Sequence, residues 1–161
     1  MPRLPIALLA ALAVMFGAGC GEEGAAGGAT VRIYVSAPLR GGEGEAGRRL
    51  CDEAREQAAQ GRGSEQLELT VVCLDASGPE GKWTLAQVGA NARRATEDST
   101  AVAYVGEPDP RAREQSRPIV DAAGIAELGG LSGREAVTRV EGAIAEGDES
   151  EPRQAVFDAE G

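Results

Sequence analysis

Apolar positions along the chain change period several times, and the changes predict its elements. Val31-Arg32-Ile33-Tyr34-Val35-Ser36 is rich in β-formers and is followed by Pro38, which predicts a strand running into a loop. From Glu45 to Gln60, Ala46, Leu50, Ala54 and Ala58 recur every four residues, predicting an amphipathic helix that Gly61 and Gly63 end. Leu67 to Leu74 reads as a second strand, and its contiguous Val71, Val72 and Cys73 suit a strand covered on both faces. Leu85, Val88, Ala92 and Ala95 mark a second helix reaching about Glu97, and Ala101 to Val105 forms a third strand closed by Gly106. Asp109 and Pro110 then supply the N-cap and first-turn proline of a third helix that ends before Gly124. Pro118 lies inside that helix and should kink it or end it early.

Three strand-helix alternations predict a parallel sheet with right-handed crossovers. The last third of the chain changes character. Ser132-Gly133-Arg134-Glu135 is a capping box, with Val137, Val140 and Ile144 as the helical stripe behind it. Ser150-Glu151-Pro152 opens a final short helix carrying Val156 and Phe157, and Ile125 to Leu128 is a candidate short fourth strand. The expected fold is α/β: a three-layer lobe with a short parallel sheet of three or four strands and extra C-terminal helices.

The N-terminal pattern is different again. Arg3 precedes an apolar run from Leu4 to Phe16, followed by Gly17, Ala18, Gly19 and Cys20, the layout of a signal peptide. The run is stopped by Gly21-Glu22-Glu23, well short of the roughly 20 apolar residues of a spanning helix. The small residues before Cys20 resemble the lipobox of bacterial lipoproteins, although Gly17 stands where that pattern has leucine. That resemblance implies a signal peptide over 1–19, lipidation of Cys20 and a flexible tether over 20–30. A single lobe would then occupy 31–161, lipid-anchored at the cell membrane and facing the extracytoplasmic side. Two acyl chains give stable anchoring where one is marginal.

Composition narrows the chemistry. A chain of 161 residues with a formal net charge of −10 and no Lys/Arg run would repel nucleic acid. With no histidine in the sequence, His-based acid/base chemistry and Ser-His-Asp or Cys-His nucleophiles are excluded. Aromatic residues make up only 3%, so helices must pack through small side chains. If Cys20 is acylated, Cys51 and Cys73 remain as an even pair in an oxidising compartment. They fall at the same end of an α/β layer, where a disulfide would add roughly 3 kcal/mol; two small buried hydrophobes are the alternative.

The words Val31-Arg32-Ile33-Tyr34-Val35-Ser36-Ala37-Pro38-Leu39, Tyr104-Val105-Gly106 and Pro118-Ile119-Val120-Asp121-Ala122-Ala123-Gly124-Ile125, in this order, resemble the first lobe of type 1 periplasmic binding proteins, the leucine/isoleucine/valine-binding family of ABC transporters. Ser132 to Ala159 resembles that family's late helical pair, which returns to the first lobe after the second has been built. The resemblance implies an absent second lobe and a cleft for an amino acid or similar small solute. It further implies, as partner, an ABC transporter permease or a separately supplied second lobe. Its first-lobe ligand contacts map near Leu39 to Glu45 and onto Glu107-Pro108-Asp109, which nominates Leu39, Glu107 and Asp109 as ligand-binding positions. Glu107 and Asp109 stand where small hydroxyl residues normally receive a carboxylate, and their charge would repel it. That turn otherwise reads as a solvated acidic loop capping a helix.

Other constellations carry less. Gly42-Glu43-Gly44-Glu45-Ala46-Gly47 spells a dinucleotide fingerprint, with Asp75 ending the next strand, but it opens six positions after Ser36 where a tight turn is required. Glu146, Asp148, Glu149 and Glu151 lack the spacing of a calcium loop. Asp75 lacks the acidic pair that accompanies a phospho-acceptor aspartate, and Trp83 is expected to pack at the start of the second helix. The sequence therefore nominates no catalytic residue, metal site or cofactor. Three readings compete: a membrane-tethered solute-binding domain, an envelope scaffold lipoprotein without solute binding, and a dinucleotide-binding enzyme.

Overall fold

A computed structural model describes residues 29–61 and 67–160. The expected signal peptide, Cys20 and most of the expected tether lie outside the described residues. Nine elements follow one another: β1 (Ala29–Ala37), α1 (Gly44–Gln60), β2 (Leu67–Asp75), α2 (Leu85–Thr96), β3 (Ala101–Val105), α3 (Pro110–Asp121), β4 (Ala126–Glu127), α4 (Gly133–Glu146) and α5 (Pro152–Glu160). The four strands form one parallel sheet in the order β2-β1-β3-β4. Among the described residues no helix is long and apolar enough to cross a membrane.

Alternation along β1 divides the core between the two faces of the sheet. Val31, Ile33 and Val35 pack with Cys51 and Ala54 of α1, with Ala136, Val137 and Val140 of α4 and with Val156 of α5. Tyr34 packs on the other face with Tyr104 of β3, Ala92 and Ala95 of α2, and Val120 of α3. The result is a three-layer lobe in which β3 is buried along its whole length. Between β1 and β3 the register shifts once, from Arg32 opposite Ala101 to Ile33 opposite Ala103, and Tyr34 then faces Tyr104.

Three local expectations need correction. β2 is an edge strand and mostly half-buried, so its contiguous apolar run reflects cover from helices without a neighbouring strand on its outer side. Helix α3 continues past Pro118 to Asp121. The proline is exposed and so is Glu114, whose carbonyl loses its bond; water can satisfy that carbonyl. In α1 the buried stripe is Gly44, Gly47, Cys51 and Ala54, whereas Ala46 is exposed. A hydropathy stripe does not register glycine, but here glycine lets the helix touch the strand loop, because a Cβ on Gly47 would overlap the Pro38 carbonyl. The capping box forms as the sequence predicts, with Ser132 Oγ accepting from the Glu135 amide and the Glu135 carboxylate accepting from the Ser132 amide.

Candidate functional site

In an open parallel sheet the crevice beyond the carboxyl ends of the strands opens where the strand order reverses. Here that point lies between β1 and β3. A cavity of about 400 Å³ occupies this place. Pro38, Glu43, Ala46 and Gly47 come to it from the β1–α1 segment, Trp83 from the β2–α2 loop, and Pro108 and Asp109 from the β3–α3 turn. A larger cavity of about 560 Å³ lies between Arg40 and the N-terminus of α2, without an aromatic wall.

Hydrogen bonds fix the walls. The Asp75 carboxylate accepts from the amides of Leu39 (3.0 Å) and Ser77 (2.8 Å) and from Arg40 Nε (2.5 Å). Burial by itself pushes Asp75 up, but bonds from Ser77, Leu39 and Arg40 outweigh it and hold the carboxyl at about 2. Gly41 and Gly81, with φ of +70° and +73°, meet backbone to backbone where neither has room for a side chain. The two loops are thereby stitched together, and Asp75 acts as the stitch.

On the β3 side, Asp109 caps α3 by accepting from the Arg111 amide at 2.9 Å and also accepts from Trp83 Nε1 at 3.1 Å. The Arg111 guanidinium, 2.6 Å from Asp109 Oδ2, holds that carboxyl well below the usual carboxylate range, assisted by the amide and the indole. The same guanidinium lies 6.0 Å from the Trp83 ring centroid, within cation–π reach. Trp83 directly precedes Thr84, the N-cap of α2, so it both opens that helix and lines the cavity.

Glu107 departs from the expected solvated acidic turn. It is 0% exposed. Ser36 Oγ donates to its Oε1 at 2.5 Å and in turn accepts from Asn91 Nδ2 at 2.9 Å. Burial, with the Glu127 carboxylate nearby, raises its carboxyl above the ordinary value against the opposing bond from Ser36. The turn is therefore half as expected, with Asp109 capping the helix and Glu107 facing inward. Leu39 packs its side chain against the core beside α1 and is not among the residues lining the cavity. Ser36 and Asn91 carried no sequence signal, since a serine ending a strand and an asparagine within a helix have many uses.

Cys51 of α1 and Cys73 of β2 are joined in the structure, their Cα atoms 6.0 Å apart. Four residues, 38–41, separate the end of β1 from Gly42, and α1 begins at Gly44 with Glu43 as its N-cap, leaving no tight turn beside the strand for a pyrophosphate.

No protein-family model and no curated protein matches the chain. Solved structures do. A leucine-binding protein from Thermotoga maritima is matched over 62% of this chain, with TM-score 0.51 and 22% identity. The fold is that of a periplasmic binding protein lobe. A branched-chain amino acid transporter substrate-binding protein from Streptococcus pneumoniae, solved with isoleucine, is matched over 62% of this chain with TM-score 0.51 and 17% identity. An ABC-transporter solute-binding protein from R. palustris, solved with 4-hydroxybenzoate, is matched over 82% of the chain, with TM-score 0.54 and 14% identity. The lobe spans 27%, 28% and 44% of those three chains, respectively.

Proposed function

We propose that this lobe is the folded part of a membrane-tethered, extracytoplasmic solute-binding domain related to those of ABC transporters. The cavity at the strand-order reversal, walled by Trp83 and two prolines, carries this reading, because small-solute sites in such sheets form at that place. Two of the solved neighbours, one in complex with isoleucine and one with 4-hydroxybenzoate, support a small organic solute. Lipidation of Cys20 supplies the tether, and a second lobe or a permease supplies the opposite wall. The role we propose is non-catalytic, in keeping with the solute-binding proteins the fold resembles.

The scaffold reading draws on one observation of its own. Asp109 is occupied by Arg111 and Trp83, and Glu107 is buried, so neither carboxylate faces an incoming ligand. A thermal-shift series on the full chain, with branched-chain amino acids, aromatic acids and dinucleotides as ligands, separates the readings. Ligand at a hundredfold excess over Kd adds about 2.7 kcal/mol, which moves the melting temperature visibly. A shift with an amino acid or aromatic acid supports solute binding, no shift from a cooperative unfolder supports the scaffold, and a shift with a dinucleotide overturns both.

A further inference from the structure

The buried Glu107 has consequences beyond solute binding. It sits in the turn that carries Pro108 and Asp109 to the cavity, and its carboxyl reaches back to the end of β1 and, through Ser36, to α2. The groups around it are accountable element by element. β1 offers the Ser36 hydroxyl, α2 the Asn91 amide, β3 the Tyr104 hydroxyl and β4 the Glu127 carboxylate. From α3 comes Arg113, the nearest cation, but its Nη1 donates to the backbone carbonyls of Glu107 and Pro108, both at 2.9 Å, and not to the carboxyl. Glu127 has its own cation, Arg117, at 3.2 Å. Glu107 Oε2 and the Tyr104 hydroxyl are both buried without a hydrogen-bond partner. Among the described residues no cation is hydrogen-bonded to this carboxyl, so a full charge there would be buried and unpaired, whereas a proton removes the charge.

We propose that Glu107 is the positioning residue of the cleft and acts as a neutral carboxylic acid, tying the Gly106–Asp109 lip to Ser36 and Asn91. Loss of its single proton puts two carboxylates, Glu107 and Glu127, behind one lip and pushes that lip away from β4, which lies on the side of β3 opposite β1. Cleft geometry is then proton-dependent. The bearing on affinity rests on the solute-binding reading, but the lip can be read without any solute, so the two fail separately.

The sequence makes the readout clean. Trp83 is the only tryptophan and is bonded to Asp109 on the lip, and the chain has no histidine. Apart from the α-amino group and any free thiol, no ordinary side chain changes charge between about pH 5 and 8. Trp83 emission and melting temperature of the full chain are followed from about pH 4 to 9, for the wild type and for Glu107→Gln, whose amide keeps an acceptor for Ser36 without a proton to lose. The expected wild-type result is one transition, with its midpoint above the ordinary carboxylate range, in which emission shifts and melting temperature falls as pH rises. Glu107→Gln should hold the low-pH emission throughout. A wild type without that transition, or a transition surviving in the variant, overturns the proposal. Should the variant not fold, infrared spectra of the wild type at neutral pH decide: the carbonyl stretch of one protonated carboxylic acid per folded chain supports it, and its absence overturns it.

Discussion

Two glycines in helices make opposite predictions for the same substitution. Replacing an interior helical glycine with alanine gains about 0.5–1 kcal/mol of helix propensity when the new methyl meets nothing. Gly142 of α4 is such a position: it is exposed and, apart from its own turn of helix, nothing lies within 4 Å of where its Cβ would be. Gly142→Ala should therefore raise stability by about that amount. At Gly47 of α1 the methyl would overlap the Pro38 carbonyl and lie 3.2 Å from the Ala37 side chain. Both of the overlapped atoms are backbone, so α1 must move off the end of β1, and overpacking of this kind costs about 1–3 kcal/mol. After the propensity gain, Gly47→Ala should lose up to about 2.5 kcal/mol net. Urea unfolding of the full chain measures both, with an unchanged m-value as the check that the midpoint shift reports stability. Pro38 and Gly47 both line the cavity, so Gly47→Ala should also shift Trp83 emission while Gly142→Ala leaves it alone. A Gly47→Ala protein as stable as wild type, with unchanged emission, would refute the claim that close approach of α1 sets the cleft floor.

Two further outcomes follow from the covalent and ionic ties. With Cys51 and Cys73 bridged, two of the chain's three cysteines should be unreactive to a thiol reagent in denaturant until reduced, and reduction should lower stability by about 3 kcal/mol for the 22-residue separation; reaction of both before reduction counts against the bridge. In acid, Asp75 is held at about 2 in the folded state, so its contribution is present above its unfolded value of about 3.9 and is lost as pH falls toward 2. Asp98, whose carboxyl the Thr100, Tyr34 and Arg32 side chains hold low despite its burial, adds to the same limb. Asp75→Asn should flatten part of that acid limb in a melting-temperature profile, and an unchanged slope would show that the Leu39–Ser77 stitch carries no pH dependence.

Local signals with a short-range cause were legible in the sequence. The capping box needs only Ser132 and Glu135, and the N-cap of α3 needs only Asp109 and Pro110, so both could be read from a few adjacent residues. Element order followed from periodicity for the same reason. What escaped were properties that depend on partners far along the chain. Ser36 and Glu107 are 71 residues apart, and nothing near Glu107 announces that its carboxyl turns inward. An acidic residue between glycine and proline ordinarily belongs to a solvated turn, and only the stacking of β1, α2 and β3 around it reverses that. The α1 face was misread because glycine contributes closeness and not hydropathy, and the exposure of β2 because a strand's place in the sheet order is not written in its own residues.

The cleft is built more firmly than its ligand chemistry is displayed. Asp75 locks two of its loops, Glu107 ties the third to the sheet, and Asp109 holds Trp83 in place. Each of these carboxylates is therefore consumed in shaping the wall, which leaves the wall itself to the indole, the two prolines, small side chains and, at its edge, the exposed Glu43. A surface of that kind contributes shape and apolar contact, while the polar groups that fix a small solute's orientation are few. Solute sites typically bury 70–90% or more of their ligand, and a single lobe with one open side cannot enclose that fraction. Under the proposed function, the orienting polar groups then belong on whatever closes against this lip. On the proposed solute-binding reading, a second lobe meeting a wall already rigid before contact would lose little ordering entropy at closure, which is how a weak half-site becomes a selective whole one.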